Sequence, residues 1–480
     1  MSDQRLLING ERQDACDART WDLVNPATGE VIEQVPFGGA VEARRAIDAA
    51  ATAGSAWAGT SIAERAAILA RAADLIDERA DELAKLTSEE SGKPIGQARG
   101  EWTSGGDYLR WVGDVATAAL APKVLPARSD GQQVEINYRP IGVVGVITAW
   151  NFPVYNVNRA VAAALIAGCT VVVRPSEFTP RSALAYGSLL DEAGCPAGVI
   201  NVINGEADEM GRTLMSDPRV RKLSFTGSVR VGKILMDQAS ETVTDLALEL
   251  GGNAPAIITP TVADVAAVAQ SAVAAKTRNC GQACIAPQRF IVHESIAEEF
   301  IASAVGAMGD LVLGDPLDPG TDVGPLINGA QQARVADIVE RSVQAGAQVK
   351  CGGHRRGGPS GAGFYFEPTI LANVAPELAA MTEEIFGPVM PVTTYRDEDE
   401  AIELANATEY GLTAFVWGES ASLIKEIGAR LEFGMIGLNE WYPVADDAPF
   451  GGTKQSGLGR ESGVEGLHEY VEPIVFYLGV

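Results

Sequence analysis

The sequence predicts an α/β protein with two lobes, each built on its own largely parallel sheet. Three observations carry this prediction. Short β-rich runs alternate with Ala-rich helical stretches from residue 141 onward. A second alternating region runs from Ala254 to about Ser422. The length, 480 residues, exceeds what one hydrophobic core usually organises. Strands that alternate with helices imply parallel pairing through crossover helices.

Taken in order, Ser61–Leu86 reads as one amphipathic helix. Ile62, Leu69, Leu75, Ile76, Leu83 and Leu86 recur near helical spacing. Ser61 followed by Glu64 has the form of a capping box. Strands are expected at Ile141–Thr148, Thr170–Val173, Val199–Ile203 and Lys222–Phe225, with helices at Arg159–Ala167 and Thr179–Ala193. In the second region Phe290–His293 reads as a strand, Ile296–Met308 as a helix and Gly352–Gly363 as a Gly-rich loop. Glu472–Leu478 looks like a lone terminal strand that needs a partner elsewhere, on another subunit if not on this one.

The net charge is −26, a field that repels phosphate backbones and anionic lipid surfaces, so neither nucleic acid nor membrane is an expected partner. An anionic substrate would need local Arg residues acting against that field. The N-terminus lacks signal-peptide character, and six unevenly spaced Cys do not form a disulfide framework; a reducing cytoplasm is the expected compartment. The three His, at 293, 354 and 468, lie far apart, so no metal site and no Ser-His triad is expected.

Chemistry concentrates in a few segments. Arg278-Asn279-Cys280-Gly281-Gln282-Ala283-Cys284 joins a helical stretch to a strand, and a Cys in a polar loop with a nearby Arg favours the thiolate. Glu249, in Leu246-Ala247-Leu248-Glu249-Leu250-Gly251-Gly252, is a carboxylate among apolar neighbours. Burial would raise its pKa and suit it to general-base work, although a structural ion pair fits equally. Asn151, in Trp150-Asn151-Phe152-Pro153 after a strand, is either a turn residue or an oxyanion donor. Phe225-Thr226-Gly227-Ser228-Val229-Arg230-Val231-Gly232-Lys233 nearly matches a P-loop, but Ile234 replaces the magnesium-binding hydroxyl. What survives is a strand-to-helix turn that offers backbone N–H groups to a phosphate. No G-x-G-x-x-G occurs at the first crossover.

Together, in this order, these motifs resemble the aldehyde dehydrogenase superfamily, from Asn25-Pro26-Ala27-Thr28-Gly29 to about Tyr470. The resemblance implies the aldehyde dehydrogenase-like fold: two Rossmann-like α/β lobes and a small β oligomerisation arm. Residues 1–121 and 141–250 would form the NAD(P)-binding domain and 251–445 the catalytic domain. Residues 122–140 and 446–480 would form the arm and C-terminal segment. It makes Cys284 the nucleophile, Asn151 and the Cys284 backbone N–H the oxyanion hole, and Glu249 the base that hydrolyses a thioester. For the cofactor it implies Trp150, Arg174, Ser176, Glu177, Gly227, Ser228, Glu384 and Phe386, with Ser228 near the pyrophosphate and Glu177 at the adenosine ribose. Glu177 repels a 2′-phosphate, which favours NAD over NADP. Arg174 stands where the family usually has Lys, and its fork could partly accept that phosphate. A homodimer or dimer of dimers is expected.

Within the superfamily the chain is most similar to the succinate-semialdehyde dehydrogenase branch. The closing run Ala448-Pro449-Phe450-Gly451-Gly452-Thr453-Lys454-Gln455-Ser456-Gly457-Leu458-Gly459-Arg460-Glu461 is of that type. Arg159 and Arg278 occupy positions where that branch grips the distal carboxylate of its substrate. The substrate loop, Trp441-Tyr442-Pro443-Val444-Ala445-Asp446-Asp447, lacks the branch's Ser. Trp441 and Tyr442 are therefore candidate substrate residues. Glutarate semialdehyde or a small sulfonated aldehyde fits as well as succinate semialdehyde. A neutral or aromatic aldehyde is the alternative substrate. Rival activities are a CoA-acylating dehydrogenase, against which Glu249 argues, a thiol hydrolase, and a non-catalytic binding protein.

Overall fold

The computed structural model describes residues 4–126 and 132–479. Two large sheets organise the chain. The first runs in spatial order Glu11–Gln13, Leu6–Ile8, Ile200–Val202, Thr170–Arg174, Val143–Ile147, Val220–Thr226, Asp245–Glu249 and Gly457–Leu458. Its five central strands are parallel, while Leu6–Ile8 and Gly457–Leu458 pair antiparallel at the flanks. The second runs Gln348–Cys351, Thr369–Ala372, Val389–Tyr395, Pro287–His293, Ala254–Ile258, Thr413–Trp417 and Met435–Leu438, all parallel except the first pair. Val143–Ile147, Thr170–Arg174 and Ala254–Ile258 are buried at every position, as strands covered by helices on both faces must be. This is the predicted α/β class with a sheet in each lobe.

One expectation needs correction, and another is resolved. The stretch from Ser61 is two helices, Ile62–Glu78 and Ala80–Ser91. Ser61 and Glu64 form the capping box as expected. At Arg79 the backbone leaves helical geometry, and the guanidinium is held by Glu192. No Gly or Pro marks that break, so the apolar period runs across it unseen. The terminal strand, Val471–Gly479, finds its partner within its own chain: it pairs antiparallel with Gln132–Pro140, which in turn pairs with Lys123–Leu125. This small sheet exposes Val124, Leu125, Val475, Phe476, Tyr477 and Leu478.

The C-terminal stretch also returns to the first lobe, since Gly457–Leu458 forms a sheet edge and Leu467 and Tyr470 enter the first core. Among the described residues no helix is long and apolar enough to cross a membrane.

Candidate active site

A cavity of about 570 Å³ opens where the carboxyl ends of the first sheet meet the amino ends of the second. Its volume lies in the usual range for small-molecule sites. Three neighbouring strands of the first sheet deliver its floor. Trp150 and Asn151 follow Val143–Ile147, Gly227 and Ser228 follow Val220–Thr226, and Glu249 closes Asp245–Glu249. From the second lobe come Cys284, just before Pro287–His293, and Glu384 and Phe386, just before Val389–Tyr395.

The segment carrying Cys284 leaves the helix Val265–Thr277 through three successive left-handed residues: Asn279 at φ 48°, Cys280 at φ 56° and Gly281 at φ 72°. A Cβ at Gly281 would lie 2.2 Å from the Gly387 carbonyl oxygen, so no side chain fits there. Side-chain amides hold the turn. Asn279 donates its backbone N–H to Gln97 Oε1 (2.8 Å) and its Nδ2 to the Asn151 carbonyl (2.9 Å). Asn151 Nδ2 donates to the Gln282 carbonyl (3.1 Å), while its Oδ1 accepts from Asn156 Nδ2 (3.2 Å). The Asn151 amide is thereby oriented with its donors toward the Cys284 loop, and one Nδ2 hydrogen engages Gln282.

The turn also separates the two cysteines. Cys280 is buried in a cluster with Val323, Leu326 and Val335, where burial raises its pKa and makes it a small hydrophobe. Cys284 is partly exposed and lines the cavity. Its environment corrects the expectation of a ready thiolate. Burial pushes the Cys284 thiol up to about 12; the positive Arg159 pulls the other way, and Glu384 and Glu249 add to the rise. The resting group is a thiol because apolar surroundings outweigh one distant guanidinium.

Glu249 is buried and its pKa is raised well above the usual carboxylate range, first by burial and then by the negative Glu461; Arg159 and Arg460 oppose the rise. Its Oε2 has no hydrogen-bond partner among the described residues. A Cβ at Gly451 would meet Glu249 Oε1 at 2.9 Å, so the closing Gly-rich run leaves space for this carboxylate. Arg159, on the helix Tyr155–Ala167, lies 3.4 Å from Glu461 Oε2, and both side chains are almost wholly buried. The contact is an ion pair without hydrogen-bond geometry, and Arg159 Nε and Nη1 have no hydrogen-bond partner among the described residues. The guanidinium also sits 3.9 Å over the Phe450 ring and 5.0 Å over Tyr155.

Arg278 is held differently. Its guanidinium lies 5.0 Å over Tyr442 and 5.7 Å over Phe152, and no ion pair joins it to a carboxylate among the described residues. Tyr442 is exposed in the cavity wall. Trp441 is not part of that wall. It is buried against Phe290, Phe415 and Trp417, and its Nε1–H donates to Ser271 Oγ (3.0 Å). The core of the second lobe takes the larger apolar ring and leaves the phenol, with its polar tip, to the cavity.

On the cofactor side, Ser228 caps the helix Val229–Thr242, with Oγ accepting from the Val231 N–H. That helix start lines the cavity and presents free N–H groups to an anion. Trp150 and Phe386 meet edge to face at 5.4 Å. Glu384 accepts from the Gly252 N–H (2.9 Å), and burial pushes its carboxyl up to about 7. Arg174, Ser176 and Glu177 sit at the carboxyl end of Thr170–Arg174, outside the cavity lining itself. Arg174 donates to the Gly205 carbonyl (2.7 Å) and pairs with Glu177 (3.0 Å), while Ser176 Oγ accepts from the Phe178 N–H (3.3 Å). A helix N-terminus, an aromatic pair and the Glu384 carboxylate line one cavity and form a donor and acceptor set that fits the phosphate and ribose groups of a dinucleotide.

The aldehyde dehydrogenase family matches residues 13–475. The chain belongs to that family. It is 40% identical over 471 residues to the NADP(+) succinate-semialdehyde dehydrogenase of Escherichia coli, covering 98% of this chain and 96% of that one. It is 40% identical to a glutarate-semialdehyde dehydrogenase of Pseudomonas putida, with coverage of 98% and 96%. A crystal structure of an Escherichia coli NADP-dependent enzyme superposes with a TM-score of 0.97 at 39% identity, covering 100% of this chain and 98% of that one. This aldehyde dehydrogenase is accordingly an oxidoreductase acting on aldehydes, in a family that uses NAD or NADP.

Several residues around the site of this aldehyde dehydrogenase escaped the sequence reading. Lys93 and Glu101 form a fully buried ion pair. Glu101 also accepts from the Val154 and Tyr155 N–H groups (2.9 and 3.0 Å), fixing the start of the helix that carries Arg159. Lys93 lies 3.9 Å over the Phe152 ring. Tyr155 donates to Asp446 Oδ1 (3.4 Å). Phe152, Phe450 and Glu461 stand inside quoted motifs, yet their roles depend on partners remote in sequence. Lys93 precedes the helix Ile95–Ala119 that carries Glu101, and no local pattern marks the two as a pair.

Proposed function

We propose that this chain oxidises a small anionic aldehyde, of the succinate- or glutarate-semialdehyde kind, to the carboxylate through a thioester on Cys284. The observation that carries the reading is the convergence of Cys284, Asn151, Glu249, Arg159 and Arg278 on one cavity.

The Cys284 sulfur forms the bond to the aldehyde carbon as its thiol proton passes to solvent water. The alkoxide that develops is met by Asn151 Nδ2 and the Cys284 backbone N–H, donors fixed before the charge appears. NAD(P)⁺, when bound, supplies the hydride acceptor that converts this adduct to the thioester. Glu249 then takes a proton from water as the water attacks the thioester carbonyl, releasing the carboxylate product and the Cys284 thiol. A raised pKa suits that step, because a base must hold and release protons near the working pH. A cavity-facing Glu249 also supports hydrolysis over acyl transfer to CoA.

For the cofactor, Ser228 and the helix start with Gly227 would hold the pyrophosphate, Glu177 with Ser176 the adenosine ribose, and Glu384, Phe386 and Trp150 the nicotinamide end. NAD is the favoured cofactor, because Arg174 is already engaged by Gly205 and Glu177. The aromatic lining of Phe152, Tyr155, Tyr442 and Phe450 supports a second reading, a neutral or aromatic aldehyde. The exposed apolar residues of the small sheet support assembly into a homodimer or dimer of dimers.

The test is reduced-cofactor formation from a panel: succinate semialdehyde, glutarate semialdehyde, a sulfonated aldehyde, butanal and benzaldehyde, each with NAD and NADP. Preference for an anionic member supports the reading. Preference for butanal or benzaldehyde overturns the anionic substrate and selects the second reading.

A further inference from the structure

Trp441 and Tyr442 are neighbours on one loop with opposite surroundings. Trp441 anchors the loop: its ring stacks 4.8 Å from Trp417 and meets Phe415 at a tilt, 5.2 Å away, and its indole N–H is bonded to Ser271. Immediately beyond this anchor, the Tyr442 N–H donates to Glu440 Oε1 (2.7 Å) and the Tyr442 carbonyl accepts from the Val444 N–H (2.7 Å). The backbone of Tyr442 is thus held on both sides, and its ring is directed to the cavity beside Arg278.

The contrast between the two arginines gives that ring a purpose. Arg159 is restrained by a carboxylate, Glu461, which also offsets its charge. Arg278 is restrained by the rings of Tyr442 and Phe152 and by the Tyr442 hydroxyl, which limit its rotamers without neutralising it. An arginine side chain has large rotational freedom, and an incoming anion must otherwise order it. An aromatic face removes part of that freedom while leaving the N–H fork available.

We infer that Tyr442 is a specificity-determining residue: with Phe152 it clamps the Arg278 guanidinium where the distal carboxylate or sulfonate of the substrate meets it. This rests on the anionic-aldehyde reading and deepens it. The clamp acts before the chemical step, so its effect falls on KM more than on kcat, and on charged substrates more than on neutral ones of equal length.

The experiment compares succinate semialdehyde with butanal in Tyr442→Ala, Tyr442→Phe, Arg278→Met and the double variant Tyr442→Ala/Arg278→Met. Tyr442→Ala should raise KM for succinate semialdehyde about tenfold more than KM for butanal. Tyr442→Phe, which keeps the ring but loses the hydroxyl that meets Arg278, should recover only part of that selectivity. In the Arg278→Met background the same Tyr442→Ala change should add less than about twofold, because the clamp has nothing left to hold. Equal KM losses on both aldehydes, or the full loss repeated without Arg278, overturns the inference alone. A wild-type enzyme that prefers none of succinate semialdehyde, glutarate semialdehyde and the sulfonated aldehyde over butanal overturns the anionic reading, and the inference falls with it.

Discussion

The inner end of the cavity and its mouth each hold an arginine, and they handle positive charge in opposite ways. Inside, Arg159, Glu461 and Glu249 are all buried; Arg159 and Glu461 shift each other, and both shift Glu249. At the mouth, Arg278 rests on Tyr442 and Phe152 without a carboxylate. Burying ions is costly unless they compensate one another, so the inner group behaves as one unit. The mouth stays partly wet, and a single uncompensated charge is tolerable there. One end of the cavity therefore sets proton affinities, while the other remains available for an anion arriving from solvent.

Four experiments sharpen or break that comparison. The largest effect is expected at Glu249→Gln: a single burst of reduced cofactor per subunit, then a steady-state rate lower by about 10²- to 10⁴-fold, as for loss of a general base. Full steady-state turnover would remove Glu249 as the hydrolytic base. In the unchanged enzyme the same group sets a pH dependence with a definite sign. Its pKa is raised, so the deprotonated base accumulates only as pH rises, and the hydrolytic rate should climb toward alkaline pH.

Next comes Arg159→Met. Removing one member of a buried pair leaves Glu461 uncompensated and should cost about 3–5 kcal/mol of stability. The companion Arg278→Met should cost under about 1 kcal/mol, since it breaks no ion pair. Chemical denaturation of the two variants side by side checks this, and equal losses would erase the distinction between inner end and mouth.

A smaller effect concerns Glu384, whose carboxyl is pushed up to about 7 by burial. In its proposed role at the nicotinamide end it accepts hydrogen bonds as a carboxylate, so NAD affinity should weaken as pH falls through 7 and strengthen above it. Titration calorimetry should give up to about tenfold weakening per pH unit below that point, and Glu384→Gln should flatten the profile. The smallest effect is Cys280→Ala. That thiol packs in a closed apolar cluster, so activity should stay within about twofold, with a modest loss of stability from the lost packing. Inactivation would place Cys280 in the chemistry and undo the separation of the two cysteines.

The sequence by itself determined the alternation of strands and helices, the capping box at Ser61 and the order of motifs that marks the aldehyde dehydrogenase family. These are local properties: periodicity, turn chemistry and spacing along one chain. It also brought forward Cys284, Glu249, Asn151 and both arginines, because their segments are continuous and distinctive. What only the tertiary structure decided depends on distance and burial between remote residues. The break at Arg79 and the intrachain partner of Val471–Gly479 are of this kind. So is the exchange of roles between Trp441 and Tyr442, fixed by a core pocket of Phe290, Phe415 and Trp417. The state of Cys284 is the clearest case. A polar loop with a neighbouring arginine suggests a thiolate, but Arg159, 125 residues away in sequence, is the cation that acts on it, and desolvation outweighs that attraction. Charge and burial are properties of the folded surroundings, which no segment of the chain carries alone.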